Sequence, residues 1–167
     1  LMGCTEAIEG PSETEWQEPG VPGDWSVGTR ADVITGTDGL ELEVQTWYPT
    51  QTTEGTLHLY GGLYESAIAL STAVPDCSET RPVLAFSHGS QALNYQSYFL
   101  TEYLASRGWV IVAPEHRGNT VWNDSEDKVV LAFRRPFDIR DTVDWLFETL
   151  ASPGGVLDGC VDPEAGY

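Results

Sequence analysis

Two patterns of apolar and polar positions alternate along this chain, one with a period of two and one near 3.6. Residues 30–36 are β-prone, Thr37-Asp38-Gly39 signals a turn, and Leu40-Glu41-Leu42-Glu43-Val44-Gln45 alternates strictly before running into Trp47-Tyr48-Pro49. That alternation predicts an antiparallel hairpin with one wet face. Residues 51–81 are weakly patterned. Gly61-Gly62 and a small apolar run at 67–73 stand inside them, and residues 66–72 read as a short helix.

The next pattern is different. Val83-Leu84-Ala85-Phe86 and Trp109-Val110-Ile111-Val112-Ala113 are apolar without interruption, as expected of strands buried on both faces and usually parallel. Between them residues 94–107 read as a helix with Tyr95, Phe99, Tyr103 and Leu104 as its apolar stripe and Gly108 just past its end. Strand, helix and strand make a βαβ unit with a right-handed crossover. A polar loop spans 115–126. Pro136 then reads as the first residue of another helix, with Asp138 and Asp141 in its first turns and Ile139, Val143, Leu146, Phe147 and Leu150 at helical spacing. Residues 151–166 are loop-like. The expected class is α/β, a mostly parallel sheet with an antiparallel N-terminal hairpin.

Composition adds an N-terminal boundary. Residues 5–24 hold six acidic side chains, no basic one, three Pro and three Gly. Such a stretch buries no core and reads as an acidic, extended tether, so residues 1–24 are separated from a domain over 25–167. The whole chain of 167 residues carries 26 acidic and 8 basic side chains, a net charge of −18, which sets it against nucleic-acid phosphates and anionic lipid. A salt-rich setting and an ordinary acidic secreted protein both fit. Three Cys are too few for a disulfide scaffold and too scattered for zinc, and the three His lack metal-ligand spacing, so neither metal nor cofactor is expected.

The candidate chemistry lies at Phe86-Ser87-His88-Gly89-Ser90-Gln91, the C-terminal end of a buried strand, which is the edge where open α/β sheets bind ligands. Gly89 permits a sharp turn there, and the Ser90 N–H is placed to stabilise a tetrahedral acyl-transfer intermediate as half of an oxyanion hole. Ser87 and His88 are neighbours on a strand, point to opposite faces and cannot form a catalytic pair. His88 reads as an orienting, hydrogen-bonded residue. His116, near the same crevice, reads as a structural histidine beside Glu115 and Arg117.

Four stretches together carry a family resemblance: Trp25-Ser26-Val27-Gly28 leading to Val44-Gln45-Thr46-Trp47-Tyr48-Pro49; Pro82 through Gly89; Leu104 through Asn119; and Arg135-Pro136-Phe137-Asp138-Ile139. In order and spacing they resemble the N-terminal portion of an α/β-hydrolase. The likeness is to the bacterial group related to platelet-activating-factor acetylhydrolases, dienelactone hydrolases and cutinase-like polyesterases. The resemblance implies a carboxylic-ester hydrolase of the serine type, working through an acyl-enzyme with no cofactor. It implies the Ser90 amide as an oxyanion donor and His88, Gly89 and Gln91 beside the substrate, a small or polymeric ester. The family's nucleophile sits in a G-x-S-x-G elbow, which does not occur in these 167 residues. The resemblance therefore puts the nucleophile (Ser or Cys), the acid and the base beyond Tyr167. Residues 1–167 alone are then expected to be inactive and to fold poorly, with 83–86 an unpaired apolar edge. The rival readings are a non-catalytic surface lipoprotein on this fold, and a hydrolase of other bonds.

Leu1-Met2-Gly3-Cys4 resembles the bacterial lipobox, which implies lipidation of Cys4 and a place in the cell envelope or outside the cell. In the family's sheet, the strands that follow Cys77 and Cys160 are parallel neighbours. The resemblance thus admits a Cys77–Cys160 disulfide in an oxidising compartment; two free thiols are the alternative.

Overall fold

A computed structural model describes residues 20–162; Cys4, most of the acidic segment and Tyr167 lie outside the described residues. The strands are β1 (Ser26–Thr35), β2 (Glu41–Thr50), β3 (Leu57–Tyr60), β4 (Tyr64–Ser71), β5 (Val83–Ala85) and β6 (Val110–Pro114). The helices are α1 (Tyr98–Ala105) and α2 (Lys128–Trp145), the latter continuing into a π-helical turn, Leu146–Leu150. The strands form one sheet in the order β3-β4-β1-β2-β6-β5.

The expected hairpin is the centre of the sheet. β1 pairs antiparallel with β2 from Ser26↔Thr50 to Thr35↔Glu41, across the Thr37-Asp38-Gly39 turn. The alternating half of β2 has one exposed face, and from Val44 to Thr50 it is buried throughout. β2 then pairs antiparallel with β6, and β6 parallel with β5.

Residues 66–71 are strand, not helix, and Thr72 is a turn residue. The two glycines Gly61 and Gly62 adopt φ of 55° and 73°, a backbone that turns β3 tightly back into β4. β4 then finds partners on both sides, β3 antiparallel and β1 parallel with Val27↔Ala69. Small apolar residues carry no helix signal strong enough to resist a sheet edge that satisfies their backbone groups. The antiparallel part of the sheet is therefore larger than the single hairpin.

Both faces of β6 are covered, which explains its uninterrupted apolar run. Val110 and Val112 pack with Leu42, Val44, Leu146, Leu150 and Leu157 on one face. Ile111 and Ala113 pack with Val27, Trp47, Tyr60 and Ala105 on the other, beneath α1. β5, an outer strand of the described sheet, is less enclosed: Val83 and Leu84 are half-buried and Ala85 exposed. Helix α1 is shorter than its sequence pattern, because residues 91–97 form turns before it; Gly108 ends the segment at φ 94°.

Pro136 does not open α2. The helix begins eight residues earlier, where the Asp127 side chain accepts hydrogen bonds from the Val129 and Val130 amides and caps it. Proline removes the N–H that would bond the Ala132 carbonyl, but Ala132 and Pro136 both face solvent, where water satisfies that oxygen. Asp138 consequently lies deep in the helix rather than in its first turn. It shares the buried face with Leu131 and Thr142.

Both ends of the described segment are tied to the body. The Gly23 amide donates to Ser106 Oγ at 2.7 Å and the Trp25 amide to the Ser106 carbonyl at 3.1 Å. Cys77 and Cys160 are joined in a disulfide, with Cα atoms 4.2 Å apart. The Arg81 amide donates to the Cys160 carbonyl at 2.7 Å, and the Arg81 guanidinium pairs with Asp76 at 3.0 Å.

Candidate functional site

The parallel strands β5 and β6 end side by side, and the loops that leave them carry the site. After Ala85 only the Phe86 amide continues the ladder, to the Val112 carbonyl at 2.8 Å. The chain then turns through His88, Gly89, Ser90 and Gln91. Gln91 sits at φ 57°, a left-handed conformation that a side chain adopts only when its surroundings hold it. The Gln91 side-chain Nε2 donates to Asp124. The Gly89 N–H donates to Gln96 Oε1 at 2.8 Å. Ser90 is exposed, and among the described residues its N–H has no hydrogen-bond partner. An unspent amide on an exposed turn is what an oxyanion donor requires.

His88 is wholly buried, at 0% exposure. Its Nε2 accepts the His116 backbone N–H at 2.9 Å, so Nδ1 carries the proton and donates to the Gly89 carbonyl at 2.7 Å. Both nitrogens are used inside the protein. His88 orients the turn and presents no edge to a ligand, which corrects its expected place beside the substrate; Gly89 and Gln91 are exposed.

His116 has partners that sequence neighbourhood did not suggest. Its Nδ1 meets Asp138 Oδ2 at 2.8 Å and its Nε2 meets Ser87 Oγ at 2.9 Å. A carboxylate only accepts, so Nδ1 donates to Asp138 and Nε2 accepts the Ser87 hydroxyl. Ser87 Oγ also accepts from the Arg135 guanidinium at 3.0 Å. The order serine, imidazole, carboxylate is that of a catalytic triad. The burial is not. His116 is 0% exposed, so its Nε2 has no route by which to hand a proton to a leaving group. A cationic donor also occupies the Ser87 oxygen. The chain of bonds is a framework beneath the turn.

Arg135, Asp138 and Asn119 are the site residues that sequence reasoning missed. Arg135 NH1 donates to Asn119 Oδ1 at 3.2 Å, and Asn119 Nδ2 donates to Ser90 Oγ at 3.3 Å. The available signal was Asp138, a carboxylate in phase with the apolar Leu131 once α2 is begun at Lys128. Among the described residues no group of three or more His, Cys, Asp or Glu side chains is arranged to hold a metal, and no helix is long and apolar enough to cross a membrane.

A ferulic acid esterase from Streptomyces cinnamoneus superposes on this architecture with a TM-score of 0.66, at 20% identity, over 82% of this chain and 49% of its own. The chain has the α/β-hydrolase fold. It spans about half the length of that esterase. Brefeldin A esterase, a bacterial homologue of human hormone-sensitive lipase, follows at 18% identity and a TM-score of 0.45, over 80% of this chain and 30% of its own. Oligopeptidase B from Trypanosoma brucei follows at 15% identity and 0.46, over 75% and 16%. No family model matches the chain, and no curated protein sequence does. Within the α/β-hydrolase fold, the turn at 88–91 stands at the C-terminal edge of the parallel strands, where this class of sheet places its ligands.

The two buried imidazoles give the fold an acid limit. Burial pushes His88 down to about 4, and burial lowers His116 as well against the opposing pull of Asp138. An unfolded imidazole takes its proton near pH ~6.5. Between pH 6.5 and about 4 the unfolded chain therefore binds more protons than the folded one, and stability falls as pH falls. Glu102 and Glu115, raised by burial, act in the opposite sense and soften the slope. Thermal midpoints measured across this window should drop for the native chain and drop less for His88→Gln. Equal slopes in the two proteins would remove His88 as a cause.

Proposed function

We propose that this protein is a carboxylic-ester hydrolase of the serine type, acting through an acyl-enzyme. The observation that carries the proposal is the unspent Ser90 N–H on a braced turn at the ligand edge of an α/β-hydrolase sheet. In this reading the Ser90 amide is one of two oxyanion donors. It stabilises the negative charge that develops on the ester carbonyl oxygen as the nucleophile attacks. The nucleophile, acid and base come from chain beyond Tyr167, in line with the resemblance to the acetylhydrolase, dienelactone hydrolase and cutinase-like group. Gly89 and Gln91 line the substrate side of the turn. A solved neighbour that is itself a ferulic acid esterase supports ester chemistry over other hydrolysis. Cys4 as a lipid anchor, and with it an envelope location, belong to the same proposal; the Cys77–Cys160 disulfide supports an oxidising compartment.

The test is a panel of p-nitrophenyl esters of increasing acyl length, with matching p-nitroanilides, assayed on the protein extended through the segment beyond Tyr167. Ester turnover with little anilide turnover is expected. Absence of ester turnover in a folded preparation would favour the non-catalytic lipoprotein. Preference for anilides would favour a hydrolase of other bonds.

A further inference from the structure

We infer that Arg135 is the positioning residue of the oxyanion turn, and that it sets the direction of the Ser90 amide from α2 without entering the chemistry. The inference rests on the reading of Ser90 as an oxyanion donor.

The turn at 88–91 has no strand ladder to hold it, since β5 ends at Ala85. Beside the bonds of Gly89 to Gln96, Gln91 to Asp124 and His88 to His116, one planar cation ties it to α2. Arg135 donates to the His88 carbonyl, to Ser87 Oγ at 3.0 Å and, through its other nitrogen, to Asn119 Oδ1 at 3.2 Å. Asn119 passes that hold to Ser90 Oγ at 3.3 Å. The peptide before Gly89 and the side chain of Ser90 therefore hang on the same guanidinium, with the Ser90 N–H between them.

The other end of the clamp is anchored as firmly. Ser87 can accept from Arg135 because its own proton points at His116 Nε2, and His116 keeps that nitrogen unprotonated because Nδ1 donates to Asp138 at 2.8 Å. Arg135 and Asp138 lie one turn apart on α2. The helix thus holds the turn twice, directly through Arg135 and indirectly through Asp138, His116 and Ser87. The three bonds leave from two nitrogens of the forked guanidinium; a lysine ammonium supplies the charge from a single nitrogen, without the fork.

Backbone 15N relaxation of the same extended protein that is assayed on esters reads the clamp without any assay of activity. Rigid amides show order parameters near ~0.85 and flexible ones below ~0.6. Arg135→Lys is expected to move His88 through Gln91 from the first range to the second while the β1, β2 and β6 amides stay rigid. Asn119→Ala, which removes the branch to Ser90 together with the Asn119 contacts to Arg135 and Asp124 but leaves the Arg135 bonds to Ser87 and the His88 carbonyl, should loosen Ser90 and Gln91 most and serves if Arg135→Lys fails to fold. In the ester-hydrolysing protein Arg135→Lys should lower kcat about tenfold with KM nearly unchanged. A turn that stays rigid in both variants, or a change confined to KM, overturns the inference. A loosened turn with full kcat would instead sink the reading of Ser90 as a donor. Labelling of Ser87 by a fluorophosphonate would show it to be a nucleophile and overturn the positioning role.

Discussion

Ser90→Pro is expected to lower kcat for ester hydrolysis by about 10²–10³, the cost of one oxyanion donor. Proline has no backbone N–H, so the substitution deletes the group in question, together with the Ser90 Oγ that accepts from Asn119. The preceding residue is Gly89, which tolerates the restriction that proline places on its neighbour. Ser90→Ala is the comparison. It keeps the amide and loses only the 3.3 Å bond from Asn119, so a loss below tenfold is expected. Because the amide acts on charge that develops in the transition state, the change should fall on kcat more than on KM. The measurement is kcat and KM on one p-nitrophenyl ester, with circular dichroism to show that both variants fold. Equal rates for Ser90→Pro and the native protein would remove the amide from the mechanism.

Removing the disulfide is expected to be the most destabilising single chemical change. Cys77 and Cys160 close a loop with a sequence separation of 83. In the chain-entropy account a loop of that size restrains the unfolded state by about 4–5 kcal/mol. That is a large part of the roughly 5–15 kcal/mol by which a domain is stable. The bond also fastens the segment after the π-helical turn beside the entry to β5, where the Arg81 amide meets the Cys160 carbonyl at 2.7 Å. Leu157 and Val161, both buried in the cluster over β6, are held there with it. Cys77→Ala/Cys160→Ala, or reduction of the native protein, should lower the thermal midpoint by about 10–15 °C. A shift of less than about 3 °C would show that the packing around Leu157 holds this segment without the bond.

By itself the sequence determined those elements whose local chemistry agrees with their surroundings. The strict alternation of residues 40–45 could only be a strand with one wet face, and Thr37-Asp38-Gly39 could only turn it back on β1. The runs at 83–86 and 109–113 are apolar at every position, which suits strands covered on both faces, and β6 is so covered. Gly89 and Ser90 at a strand exit marked the edge where the candidate chemistry lies. Tertiary structure alone decided the rest. Residues 66–71 have no strong preference, and became a strand because β1 and β3 satisfied their backbone groups. Pro136 looked like a helix start because proline suits a first turn. The Asp127 cap won because it satisfies two amides, while the carbonyl that Pro136 leaves free faces water. Asp138 was thereby carried to the buried side of α2, within 2.8 Å of His116, a pairing 22 residues apart. Ser87 and Arg135 meet across 48 residues. Periodicity records which way one residue points along its own element. It holds no information on which side chain a distant element will bring to meet it, and the support of the Ser90 turn is made largely of such meetings.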